Sequence, residues 1–315
     1  MRKIAVSIIG AASFMLVGTG CLKDDGFEAQ KYGIEIAEVK GVAFPQANSS
    51  PLMGSINSQT TAQDIQGPYV TLEQVASATS NVTVTIALKP ELVAAADPDF
   101  TVLPDGSYTL STTSVVIPAG SKSSDAIKIN IPNSASLDPV KTYALGLTIS
   151  AADQGYTVAS NQKEVVVAFT IKNKFDGVYT LKVRTTGWAA YGIADGATYT
   201  YPEDFDIITV GANSVSSFSN YRGDNLLPAF SATGGPTAFG ATSPLFIFDN
   251  GTNKLTDVQN TIPDDGRGRK LEINPAVTDS RYDPATKMIY AAFIMKQNGR
   301  PNQYFYDTLT YVKAR

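Results

Sequence analysis

Three groups of side chains carry whatever chemistry this 315-residue chain can do. Aromatics crowd one stretch of the second half: Trp188, the only tryptophan, with Tyr191, Tyr199, Tyr201, Phe205 and Tyr221. A sugar ring has an apolar C–H face and a rim of hydroxyls, so exposed aromatics suit stacking while Asp, Asn, Gln or Arg grip the rim. Trp188 lies between Gly187 and Ala189, small neighbours that would leave its face open; the alternative is that these rings pack a core or pair across strands. Carboxylates form the second group, Glu203, Asp204 and Asp206 in PEDFD and Asp264-Asp265 in PDDGRGRK. A glycosidase needs two facing carboxyls, but no spaced acid pair stands out and both clusters read as solvated turns. Asp249 to Asn253 has Gly251 where a calcium loop needs its third ligand position, so it reads as a hairpin turn. Arg222-Gly223-Asp224 spells an adhesion tripeptide of three common residues and carries no weight. The third group is Cys21, the only cysteine. The chain has no histidine, which removes His-activated nucleophiles, imidazole bases and the commonest zinc ligand. Catalysis would fall to carboxylates, Lys, Tyr or an oxygen-ligated metal, and no cofactor or metal is implied.

The setting of Cys21 gives the location. Arg2 and Lys3 precede an apolar run from Ile4 to Val17, and Gly18, Thr19 and Gly20 lead to the thiol. That order describes a secretory signal peptide whose apolar part is too short to span a bilayer. The segment resembles the lipobox of bacterial lipoproteins, with Gly18 where that motif usually has Leu. The resemblance implies removal of residues 1–20 and acylation of Cys21, and two or three acyl chains make a stable anchor. Lys23-Asp24-Asp25 resembles the acidic export tag of Bacteroidota lipoproteins. The protein is therefore expected in the outer membrane, cell-surface exposed, tied to it by lipid alone, with residues 21–33 as acylated cysteine and flexible tether. A formal net charge of -4 gives no footprint for nucleic acid.

The elements that would position these groups are strands. Apolar residues make up 43% of the chain and charged ones only 17%, the balance of an extracellular β-rich protein of two domains. Short alternating runs, among them Val82 to Leu88, Val115 to Ile117, Ala126 to Ile131, Tyr143 to Ile149 and Val165 to Ile171, are separated by turn residues. Such spacing predicts an antiparallel β-sandwich. Leu103-Pro104, Tyr108, Ile117-Pro118-Ala119-Gly120, Ile127 to Ile131 and Tyr143-Ala144-Leu145 resemble the immunoglobulin-like N-terminal domain of unknown function found in Sus-like glycan-utilisation lipoproteins of Bacteroidota. The resemblance covers residues 34–173. From residue 174 to 315 the pattern stays β, with polar loops expected at 185–202, 219–244 and 249–269, so the fold class is all-β: a sandwich followed by a second sandwich or small barrel. Asp176 to Tyr179, Tyr282-Asp283-Pro284, Lys287 to Ala292 and Thr308 to Tyr311 resemble the C-terminal domains that accompany that N-terminal one.

The leading expectation is a non-catalytic surface glycan-binding lipoprotein, with Trp188, Tyr191, Tyr199, Tyr201 and Tyr221 as candidate ligand contacts on the C-terminal domain. The family resemblance implies partnership with an outer-membrane transporter. A structural or adhesive fimbrial-type subunit is the alternative, and a carboxylate-based glycoside hydrolase the third reading.

Overall fold

The computed structural model describes residues 40–193 and 195–315. The signal peptide, Cys21, the Lys23-Asp24-Asp25 tag and the tether lie outside them. No helix among the described residues is long and apolar enough to cross a membrane.

The first half is a β-sandwich. Its larger sheet holds β1 (Leu52–Asn57), β2 (Val82–Leu88), β3 (Ser114–Ile117), β4 (Tyr143–Ala152) and β5 (Glu164–Lys172), in the order β1-β5-β4-β2-β3. Along that order only β1 runs parallel to its neighbour, and the short strand Thr101–Val102 also pairs with β4 in parallel. Alternation in VTVTIAL sends Val82, Val84 and Ile86 inward and leaves Thr85 exposed, so one face is buried and the other wet. Opposite lie Gln63–Gln66, Lys128–Ile131 and Thr109–Leu110. Ile65, Ile129 and Ile131 from that side meet Leu145, Leu147 and Phe169 from the first. Helix α1 (Glu91–Ala96) covers the outer face by setting Val93 against Ala144, Val166 and Ala168.

The second half is one long sheet curled on itself. Its strands are β6 (Gly177–Thr186), β7 (Thr198–Thr209), β8 (Ser214–Ser219), β9 (Pro244–Phe248), β10 (Leu255–Asn260), β11 (Lys270–Ile273), β12 (Met288–Lys296) and β13 (Gln303–Lys313). Their order is β10-β9-β8-β7-β6-β13-β12-β11, with the short strand Arg281–Asp283 also paired to β12. The two end strands lie side by side, and the seam is laced by Leu255 N–H to Ser280 O at 3.0 Å and Tyr282 N–H to Asn253 O at 2.9 Å. The result is a nearly closed barrel, which hides the unpaired edges an open sheet would present. Its interior is packed with Tyr179, Phe205, Phe246, Phe248, Phe293, Phe305 and Leu309.

Two of the expected loops hold strands. Residues 249–269 contain β10, and residues 219–244 contain a hairpin of Leu227–Phe230 with Pro236–Phe239. The third expected loop, 185–202, ends in the first residues of β7. Pro202 and Glu203 form a bulge there, since Thr180 pairs with Asp204 but Lys182 with Thr200.

Between the two cores the chain is bonded down. Asn173 Nδ2 donates to Gly211 O and Ser214 O, both at 3.0 Å. Asp176, its side chain 1% exposed, accepts from Thr209 N–H at 2.8 Å and pairs with Arg315 at 3.2 Å and Lys172 at 4.0 Å.

Candidate functional site

The aromatics singled out in the sequence mostly form a wall that seats the 227–239 hairpin. Trp188 is 3% exposed and meets the edges of Phe239 and Phe305 at centroid distances of 5.8 and 5.3 Å. The open face expected from its small neighbours is absent for a backbone reason. Gly187 has φ +79° and comes so near Asn302 O that a Cβ would lie 2.2 Å from it, while Asp195 Oδ1 accepts the Gly187 and Trp188 N–H groups at 2.7 and 3.3 Å. The small residue serves a tight turn that drives the indole inward. Tyr201 is likewise 3% exposed; its hydroxyl donates to Ala229 O at 2.6 Å and also reaches Thr237 O, one carbonyl on each arm of the hairpin. Burial holds that phenol well above its ordinary pKa. Tyr199 is half-buried and stacks on Phe230 at 4.2 Å. Tyr191 sits in a short 3-10 turn, Ala189–Tyr191. Of the candidate rings, Tyr221 is open to solvent, at 74% exposure. Trp188 and Tyr201 are thus brought together, but as core, because Leu227, Ala229 and Phe230 in the hairpin need an apolar partner.

The PEDFD carboxylates lie within strand β7 rather than in the solvated turn expected, and both Glu203 oxygens are enclosed without a hydrogen-bond partner, because the strand runs on through the bulge. Asp206 accepts from Asn220 at 3.0 Å. Asp249 accepts the Thr252 N–H and hydroxyl at 2.6 and 2.7 Å, which holds its carboxyl below the usual range and makes the segment the expected turn. Arg222 and Asp224 bind one another at 2.9 Å, so the adhesion tripeptide is closed on itself. Asp307, absent from the sequence reading, points into the barrel beside Phe305 and Leu309; it is fully enclosed, Oδ1 has no hydrogen-bond partner, and burial pushes its pKa well above the usual value. Among the described residues no group of three His, Cys, Asp or Glu is placed to hold a metal ion.

The surface suited to a sugar lies on the outer face of β12 and β13. Cross-strand pairing aligns Arg184, Tyr306 and Ala292 in one row and Lys182, Thr308, Tyr290 and Arg281 in the next. Ala292 leaves a notch between the half-exposed rings of Tyr290 and Tyr306. Arg184 stacks on Tyr306 with its guanidinium carbon 3.9 Å from the ring centre, and Arg281 on Tyr290 at 4.9 Å. The Val277–Ser280 loop forms the far wall and is tied to the sheet by Ala292 N–H donating to Ser280 Oγ at 3.0 Å. The open groove is about 200 Å³, room for one ring, with Thr308 and Asp279 among its lining residues. Sequence reading missed it because Tyr304, Tyr306 and Thr308 alternate with Phe305, Asp307 and Leu309 in a strand where both rows contain aromatics.

A family model described as an N-terminal domain matches residues 39–156, which is most of the sandwich. No curated protein matches the chain. Among solved structures the chain is similar to a Bacteroides ovatus protein of unknown function (12% identity, TM-score 0.48, covering 88% of this chain and 95% of that one). It is also similar to an auxiliary nutrient binding protein from Bacteroides thetaiotaomicron (16% identity, TM-score 0.38, 82% and 90%). A two-domain protein of unknown function from Bacteroides fragilis is similar over 90% of this chain and 98% of its own, at 8% identity and TM-score 0.37.

Proposed function

We propose that the protein is a cell-surface lipoprotein that captures oligosaccharide without chemical turnover, on the outer face of its barrel between Tyr290 and Tyr306. The observation that carries the reading is that these two rings, each backed by an arginine, line one groove with an alanine floor and a polar rim. Apolar C–H faces stack on such rings while hydroxyls meet Thr308, Asp279 and the guanidinium edges. That no spaced acid pair stands out in the sequence supports binding over hydrolysis. Anchoring through Cys21, surface export through Lys23-Asp24-Asp25, a spacer role for the sandwich and a transporter partner belong to the same reading and stand on the sequence resemblances alone.

The test is calorimetric titration of the purified protein with neutral gluco-, manno- and xylo-oligosaccharides. Binding of at least one is expected, weakened about tenfold, or ~1.4 kcal/mol, by Tyr306→Ala. Failure of every saccharide to bind, or binding indifferent to both Tyr306→Ala and Tyr290→Ala, rejects it.

A further inference from the structure

A second cleft of the barrel, about 500 Å³, is lined by Ala238, Phe239 and Gly240 of the hairpin and by Arg267, Arg269, Gln297 and Arg300. Its chemistry differs from that of the tyrosine groove, because three arginines are among the residues that line it. The turn Asp264–Gly268 carries Arg267 and leads directly into Arg269. Asp264 Oδ1 accepts the N–H groups of Gly266 and Gly268 at 3.1 and 2.8 Å. Gly268, at φ +64°, comes so close to Asn298 that a Cβ would lie 2.5 Å from that side chain, and Asn298 N–H donates to Arg267 O at 2.9 Å. The turn is thereby pressed onto the β12–β13 connection that carries Gln297 and Arg300.

The nearby acids leave Arg269 without a carboxylate partner among the described residues. Asp264 is consumed by backbone N–H groups, and Asp265 pairs with Arg267 at 3.5 Å on the rim. Arg269 is oriented by neutral partners only: Nε donates to Gln297 Oε1 at 3.1 Å, Nη1 donates to Gly240 O, and the guanidinium carbon sits 4.7 Å from the Phe239 ring centre. Among the described residues it makes no ion pair with a carboxylate. A planar cation held in place by neutral groups, beside a second and third arginine, is arranged to receive an oxyanion through parallel N–H donors. We infer that this cleft binds the carboxylate or sulfate group of an acidic saccharide. That a saccharide carries the anion rests on the function proposed above; the oxyanion site itself rests on the arginines.

The test is calorimetric titration of the purified protein with trigalacturonate, with a chondroitin sulfate tetrasaccharide and with neutral cellotriose, for the parent chain, Arg269→Gln, Arg269→Lys and Tyr306→Ala. At least one acidic ligand is expected to bind, about tenfold or more weakly in Arg269→Gln, with partial recovery in Arg269→Lys and weakening as ionic strength rises. Whichever acidic ligand binds separates carboxylate from sulfate. Failure of both to bind, or acidic binding unchanged by Arg269→Gln, overturns the inference. Equal melting temperatures of the two Arg269 variants keep a folding defect from mimicking success. Loss of neutral but not acidic binding in Tyr306→Ala shows two sites, whereas Arg269-dependent acidic binding with no neutral binding anywhere rejects the tyrosine groove and leaves the cleft standing.

Discussion

Single side chains decide which aromatics face water. Trp188 is core whereas Tyr306 is half-exposed, and the cause is backbone that composition does not show. A positive φ at Gly187 turns the indole in, while strict alternation in β13 turns Tyr306 out. Trp188→Ala should therefore cost stability, about 3–5 kcal/mol in denaturant unfolding, rather than remove binding selectively. Asp307 offers a pH test. Burial favours the protonated form of its carboxyl, with a folded-state pKa above its unfolded value. The folded state then keeps a proton the unfolded chain releases, so this group's contribution is full below the ordinary carboxylate pKa and is lost as pH rises toward the raised one. Asp307→Asn should remove that loss, and melting temperatures across pH 4 to 8, roughly the window from the ordinary carboxylate pKa to neutrality, should fall less steeply in the variant than in the parent. Identical slopes would contradict it.

Elements were legible where one row of a strand is apolar and the other polar, as in VTVTIAL or SVSSFS. They were hidden where proline, glycine and asparagine break the alternation. LPAF and PTAF, inside a stretch rich in such residues, form a hairpin only because the barrel wall supplies their partners. Tyr201 is the link, bonded to a carbonyl on each arm. Tyr201→Phe removes both bonds and keeps the ring, so amide hydrogen exchange should quicken across residues 227–239 while β6 and β13 stay protected. Uniform exchange in parent and variant would place the hairpin's stability elsewhere.

At the scale of the whole molecule, the all-β class could be read from alternation and turn residues, but closure of the second sheet could not. Closure depends on β10, which the sequence presents as loop, lying against β11. The Asp176 network is equally long-range, joining a residue between the two cores to Thr209 and Arg315. Asp176→Ala strips an enclosed carboxylate from two cations and should cost about 3 kcal/mol or more, read as a lowered denaturant midpoint, whereas a change at exposed Asp105 should cost little. The central claim, that sugar is held outside the barrel by the Tyr290–Tyr306 groove, is tested most directly by ¹³C-tyrosine NMR during titration with the oligosaccharide that calorimetry identifies. The ring signals of Tyr290 and Tyr306 should shift with ligand while those of buried Tyr179 and Tyr201 hold still; shifts confined to Tyr199, Tyr201 or Tyr221, or to no ring at all, would contradict the account.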